Sequence, residues 1–381
     1  MSSSILQYNF PTTIRFGAGA INEVADYLIK NDLKKPLVVT DPVVASLDFF
    51  KSFIQSLEKK NISVEVFSQI HKNPVKSDVY LGVDSYDANQ RDSIIGIGGG
   101  AAMDVARAMV LRVNHREDLF KYDDLIGGDI YVTNDVPHFI TIPTTAGTGS
   151  EVGRSAIIAD DVTHQKKILF SPKLLAKTIF ADPMLTMDLP PAVTAATGMD
   201  ALTHNLEAYV AKMSHPLCEG IALEGISLIA KSMEKAVKNP DIESKSNMLI
   251  ASLMGAVAFQ KGLGVVHSLA HPMSSLLDTH HGLANAINLP YGMKFNIAGF
   301  EEKFRRIART LEIKEESGEG VVNFLFDLNN RIGIPHKLRE VGVKEEHVET
   351  LADLAIADFA HPNNPKPVSR EDFKNLYLEA L

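Results

Sequence analysis

Apolar positions in the first half of the chain alternate between two periods. Short β-branched runs, "PLVVTD" at 36–41, "SVEVF" at 63–67, "SIIGIGGG" at 93–100 and "HFITIP" at 138–143, predict strands. Helical stretches such as "AAMDVARAMVLRV" separate them. This alternation predicts βαβ units and a mostly parallel sheet. "RSAIIAD" and "KTIFADP" add short strands before Pro190. Beyond "LPPAV" at 189–193 the apolar spacing is helical throughout, as in "EGIALEGISLIAKSMEKAV" and "HVETLADLAIADFA". "PDIESKS" and "EIKEESGEG" read as solvated turns between those helices. The pattern therefore predicts an α/β domain over 1–190 and an all-helical domain over 191–381, with no internal repeat.

Bulk properties narrow the function. A chain of 381 residues suits about two domains. A net charge of -9 disfavours nucleic acid or an anionic membrane as the main partner. Cys218 is the only cysteine, so neither an intrachain disulfide nor a cysteine-built zinc or iron–sulfur site is available. "MSSSILQYNFPTTIRFG" lacks the charged-then-apolar layout of a secretory signal, and no apolar run reaches the roughly 18 residues of a membrane span. The expected location is the cytoplasm.

Two turns carry candidate chemistry. In "SIIGIGGGAAMDVARAM" the glycines fall between a strand and a helix, and Gly96, Gly98 and Ala101 satisfy a G-x-G-x-x-A spacing. Glycine lets the backbone approach a pyrophosphate, whose oxygens the free amides of a helix start can bind. "TIPTTAGTGSEV" at 141–152 sets Thr144, Thr145, Thr148 and Ser150 among glycines after another strand. Asp41 ends "PLVVTD", where a carboxylate can hold both ribose hydroxyls of an adenosine and repel a 2′-phosphate. The ordinary alternatives are a tight connection, a polar loop and a helix-capping aspartate. Taken together, the two turns and Asp41 favour a dinucleotide site, with NAD(H) preferred to NADP(H).

The helical half holds a second cluster. Asp200 and His204 lie four apart, as do His267 and His271, and His280 and His281 follow nearby. Each i, i+4 pair shares one helix face. An oxygen and several imidazoles from separate helices suit a divalent metal such as Fe²⁺ or Zn²⁺. Spacing alone leaves open which four of these groups ligate. One of His280 and His281 can cap a helix while the other binds.

"GIGGG..MD", "IPTTAGTGSE", "LPPAVTAATGMDALTHNLEAY", "GVVHSLAHP" and "HHGLANAINLP", in that order and followed by "NPKPVSREDFKNLY", resemble the iron-containing alcohol dehydrogenases. The resemblance implies the α/β-plus-helical fold that this family shares with dehydroquinate synthase. It also implies NAD(H)-dependent interconversion of a primary alcohol and its aldehyde. Separately, the apolar C-terminal half predicts a homodimer or larger homo-oligomer. The resemblance implies Asp200, His204, His267 and His281 as metal ligands, with His271 facing substrate and nicotinamide as the proton-transfer residue. It places cofactor contacts on Asp41, Asn73, Gly99, Gly100, Ala101, Asp104, Thr144, Thr145, Thr148 and Lys166. Two positions depart from the family pattern: Ala101 stands where serine is usual, and Arg107 where lysine is usual. The likeness is greatest to the 4-hydroxybutyrate dehydrogenase branch, which makes Lys261 and Arg154 candidate clamps for a substrate carboxylate. Short neutral alcohols or diols, of the butanol, 1,3-propanediol or lactaldehyde type, are the alternative. More distant alternatives are an NAD-binding lyase of the dehydroquinate synthase type, a metal hydrolase and a non-catalytic metal-binding scaffold.

Overall fold

Six short parallel strands build the first unit. The computed structural model describes residues 12–381. The first eleven residues of the N-terminal stretch examined for a signal lie outside it. The strands are β1 (Thr13–Phe16), β2 (Pro36–Val39), β3 (Glu65–Phe67), β4 (Ser93–Gly98) and β5 (His138–Pro143), then β6 (Ser155–Ala159), β7 (Lys166–Phe170) and β8 (Thr178–Ala181). The sheet runs β1-β8-β5-β4-β2-β3 with every pair parallel, while β6 and β7 form a separate antiparallel hairpin. Helices α1 (Val24–Lys30), α2 (Pro42–Ser46), α3 (Asp48–Glu58), α4 (Lys76–Ala88) and α5 (Gly100–Asn114) connect the strands. Buried on both faces, β4 is apolar almost throughout, as a central parallel strand must be. Val38, Ile95, Ile97, Ile140 and Ile142 of the sheet pack with Val24, Leu28, Phe53 and Phe180.

Strand order decides where a ligand can sit. From β2 the chain steps outward to β3, then returns to the other side of β2 for β4 and β5. This reversal opens a crevice at the carboxyl ends of β2 and β4, where open α/β sheets bind ligands. Asp41 follows β2, and the Gly98–Gly100 turn follows β4.

The second unit takes in Met187–Leu381 together with Ala146–Thr148. Its helices are α6 (Pro191–Val210), α7 (Pro216–Lys238), α8 (Ile242–Ala258), α9 (Val265–Leu277), α10 (His281–Asn296), α11 (Glu301–Thr310), α12 (Gly318–Ile332), α13 (Val348–Ile356) and α14 (Arg370–Ala380). Among the described residues no strand follows β8, and no single helix is long and apolar enough to cross a membrane. "PDIESKS" is not a turn. Asp241 caps α8 by accepting the Ser244 amide at 2.8 Å, and Ser244 Oγ accepts the Asp241 amide in return.

Candidate nucleotide turn and metal centre

The turn after β4 is built for close approach. Gly98 has φ +145°, and a Cβ there would stand 2.7 Å from the Ala102 Cβ. Gly99 then leads α5 with no side chain capping the helix start. The amides of Gly100 and Ala101 thus sit in a first turn left open to an anion. A Cβ on Gly99 would lie 3.4 Å from Thr145 Oγ1, and the Thr144 amide donates to Gly98 O at 3.0 Å. The two turns read from sequence therefore adjoin. Asp41 takes on its ordinary alternative role as well: Oδ1 caps α2 by accepting the Val43 and Val44 amides, both at 2.9 Å. Its Oδ2 lies toward Gly98.

The remaining α/β candidates converge through the hairpin. Asp104 accepts Ser150 Oγ at 2.9 Å and the Ile157 amide of β6 at 3.2 Å. Burial pushes its carboxyl up to about 6 against the pull of Arg107 and Ser150. Arg107 is fully buried and donates to Ser150 Oγ and Ser155 O, both at 2.9 Å, and also to Ser150 O. A planar fork can bind these acceptors together, which a lysine ammonium could not do in the same way. Pro74 O accepts the Ala159 amide at 2.8 Å, and Ala159 pairs with Lys166 across the hairpin. Asn73 and Lys166, 93 residues apart in sequence, thus flank one strand end.

In the helical unit, ligand atoms of Asp200, His267 and His281 lie within 4.8 Å of one another. They come from α6, α9 and α10. Gly282 makes the approach of α10 to α6 possible, since a Cβ there would sit 2.4 Å from Ala196 O. The Asn285 amide marks the common focus. Its Nδ2 donates to Asp200 Oδ1 at 2.7 Å and stands 3.3 Å from His267 Nε2 and 3.2 Å from His281 Nε2. His204 stands beside this trio with its ring stacked on His267 at 4.7 Å. Its Nδ1 is buried and has no hydrogen-bond partner among the described residues. His280 takes the capping role at the start of α10.

Charge follows the geometry. Burial pushes the Asp200 carboxyl up, but His204, His281 and His267 outweigh it and hold it down to about 2. Burial drives His267 well below its ordinary value, which keeps the imidazole neutral and its lone pair available. An ionised carboxylate, a neutral His267 imidazole and the orphaned buried nitrogen of His204 fit a divalent metal.

Three site residues escaped the sequence reading. Glu207 lies on α6 one turn beyond His204; Asn285 lies one turn beyond His281; Asp358 follows α13. Burial pushes Glu207 up to about 7 against the backbone amides of Val266, Gly264 and His267. Asp358 holds His271 Nδ1 at 2.8 Å and accepts Ser268 Oγ at 2.6 Å. His271 stacks between His281 and Phe359, 5.3 Å from each. The proton-transfer candidate is thus oriented through one nitrogen, with Nε2 left for chemistry.

Lys261 is placed differently from the clamp expected of it. It is 2% exposed, and its ammonium donates to Tyr209 O at 2.8 Å and pairs with Glu219 at 2.9 Å. Those contacts tie the end of α6 to α7 and leave it poorly suited to hold a substrate carboxylate. The Arg154 guanidinium lies over the Phe170 ring at 5.4 Å.

A parallel sheet with an open anion turn at its switch point, followed in the same chain by a helical unit focusing a carboxylate and imidazoles, fits an enzyme that binds a dinucleotide and a divalent metal. The family model described as "Iron-containing alcohol dehydrogenase" matches residues 11–183, and that described as "Fe-containing alcohol dehydrogenase family, C-terminal" matches 194–381. The chain belongs to the iron-containing alcohol dehydrogenase family. It is 33% identical to 4-hydroxybutyrate dehydrogenase of Cupriavidus necator, over 97% of this chain and 98% of that protein. Its fold matches a crystal structure of 1,3-propanediol oxidoreductase with TM-score 0.94 and 32% identity, over 99% and 100% of the two chains. A sulfoacetaldehyde reductase from Bifidobacterium kashiwanohense, solved in complex with NAD+, matches with TM-score 0.88 and 25% identity over 99% of each chain.

Proposed function

We propose that the chain interconverts a primary alcohol and its aldehyde with NAD(H), 4-hydroxybutyrate and succinic semialdehyde being the favoured pair. The focusing of Asp200, His267 and His281 on one point carries the reading. These three residues, joined by His204, would hold Fe²⁺, or Zn²⁺ in its place. When bound, the metal supplies a Lewis acid for the substrate oxygen and the nicotinamide supplies the hydride acceptor or donor. The open start of α5, with Gly99, Gly100, Ala101, Thr144 and Thr145, binds the pyrophosphate. Thr148 is assigned to the cofactor by the family resemblance alone. Asp41, whose Oδ2 lies toward Gly98, would accept the ribose hydroxyls and disfavour a 2′-phosphate, which is the basis for NAD(H) over NADP(H). His271 Nε2 passes the hydroxyl proton while Asp358 holds Nδ1. A single buried cysteine suits a reducing cytoplasm. The exposed side chains of Leu125, Ile126 and Ile130 offer an apolar face for a homo-oligomer.

The engagement of Lys261 with Glu219 favours a second reading, in which the substrate is a short neutral alcohol or diol. NADH oxidation by anaerobically Fe²⁺-loaded protein, with succinic semialdehyde and butyraldehyde at equal concentration, separates the two. Preference for the acid supports the first; equal rates or preference for butyraldehyde supports the second. If neither aldehyde supports NADH oxidation, the substrate lies outside both classes or the metal is the wrong one.

A further inference from the structure

Helix α9 has no cap of its own. Its N-cap is Gly264, which has no side chain to offer, so the amides of Gly264, Val265, Val266 and His267 need acceptors from elsewhere. A side chain of α6 supplies most of them. Glu207 Oε1 accepts the Val266 amide at 2.7 Å, while Oε2 accepts those of Gly264 at 3.1 Å and His267 at 3.4 Å. Asn364 Oδ1 accepts the fourth, from Val265, at 3.1 Å. Capping alone would complete the account if Glu207 stopped there. Instead, its shortest contact is to the His267 imidazole: Nδ1 lies 2.6 Å from Oε2, and both side chains are 1% exposed.

We infer that Glu207 is a positioning residue for the metal centre, fixing His267 in the tautomer whose Nε2 lone pair faces Asp200 and His281. The inference rests on the metal reading above. A neutral imidazole carries one N–H, and a carboxyl whose two oxygens both already accept backbone amides is arranged to accept from Nδ1 as well. With Oε2 against Nδ1 the hydrogen belongs on Nδ1, so Nε2 carries the lone pair. That nitrogen is the one lying 3.3 Å from the Asn285 amide at the focus of the site. Three backbone amides hold Glu207 in place, so it cannot turn away to release the ring. Glu207 also follows Asp200 and His204 on the same face of α6, which makes one helix the source of two ligand candidates and the anchor of a third.

Glutamine at 207 keeps the shape and breaks the logic. If its Oε1 serves the amides, its NH₂ meets Nδ1 and drives the hydrogen to Nε2, where it blocks a metal. If Oε1 meets Nδ1 instead, the NH₂ faces backbone donors. Asn364 provides the control, since it caps the same helix start without touching His267.

The test measures Zn²⁺ affinity of stripped, full-length protein by competition with a chromophoric chelator, alongside thermal unfolding and the absorption spectrum with Co²⁺. E207Q is expected to weaken Zn²⁺ binding by about 10- to 100-fold and to change the Co²⁺ spectrum. N364A is expected to lower the unfolding temperature while leaving both metal readouts as in wild type. Wild-type affinity in E207Q overturns the inference alone, and so does an equal loss in N364A, which would reduce Glu207 to a cap. Failure of wild-type protein to bind Zn²⁺ or Fe²⁺ overturns the metal reading beneath it. Should E207Q not fold, the ¹⁵N spectrum of wild-type histidines, with His267 assigned by difference from H267A, decides. An Nδ1–H tautomer supports the inference and an Nε2–H tautomer overturns it.

Discussion

Helices α5 and α9 both take glycine as their N-cap, and they treat their positive ends in opposite ways. The α5 start, at Gly99, has no capping side chain and follows the strand at the switch point of the sheet. The α9 start, at Gly264, is equally bare locally but is closed by a buried carboxylate 57 residues earlier in the chain. An exposed first turn attracts whatever anion solution offers. A filled first turn is a fixed point, and the side chains just inside it inherit that fixity. The open end therefore suits an exchanging cofactor, and the closed end suits a resident ion that must find its ligands already aligned.

The contrast can be pressed from both sides. The largest effect is expected from His267→Ala, which removes the imidazole from the closed end and leaves the amides still gripped by Glu207. Metal content measured by atomic emission should drop to background, and turnover should fall by about a thousandfold or more, as the loss of several kcal/mol implies. Far-UV circular dichroism should stay unchanged, and loss of helix would show that the cap needs the histidine. Closing the open end is the complementary experiment. Ala101→Asp puts a carboxylate into the first turn of α5, so the NADH dissociation constant from fluorescence titration should rise by about tenfold or more, with metal content unaffected. If NADH binds normally to that variant, the pyrophosphate does not sit there. The smallest effect belongs to Asp41→Ser, which keeps a cap for α2 but removes the charge. A few tenths of a kcal/mol of stability is expected to be lost. The preference for NADH over NADPH should narrow, as read from the ratio of kcat/KM values.

Legibility in the sequence followed burial and distance along the chain. Strands β4 and β5 stood out because both are almost wholly buried and rich in β-branched apolar residues. β1 and β7 escaped notice: "TIRF" is four residues and largely exposed, and "KKILF" opens with two lysines in a hairpin outside the main sheet. The start of α8 carried a capping box in "DIES" that the polar composition disguised. At the candidate metal centre, i, i+4 spacing brought out Asp200, His204, His267 and His271, and an i, i+3 step from His204 reaches Glu207. Asp358 and Asn364 left no comparable trace, because their partners His271 and Val265 lie 87 and 99 residues away. The burial and ion pair of Lys261 are likewise tertiary facts that a charge in a motif does not disclose.

The cap supplied by Glu207 also orders events in time. An isolated helix of thirteen residues is marginal in water, and α9 has a proline at position 272 as well as no local cap. A nascent chain that has released α9 but not yet docked it on α6 lacks the acceptors for its first turn. Its histidines would then be loose, able to pick up any soft cation in passing with no fixed geometry. The proposed metal site therefore needs closure of the roughly 60-residue loop between Glu207 and His267.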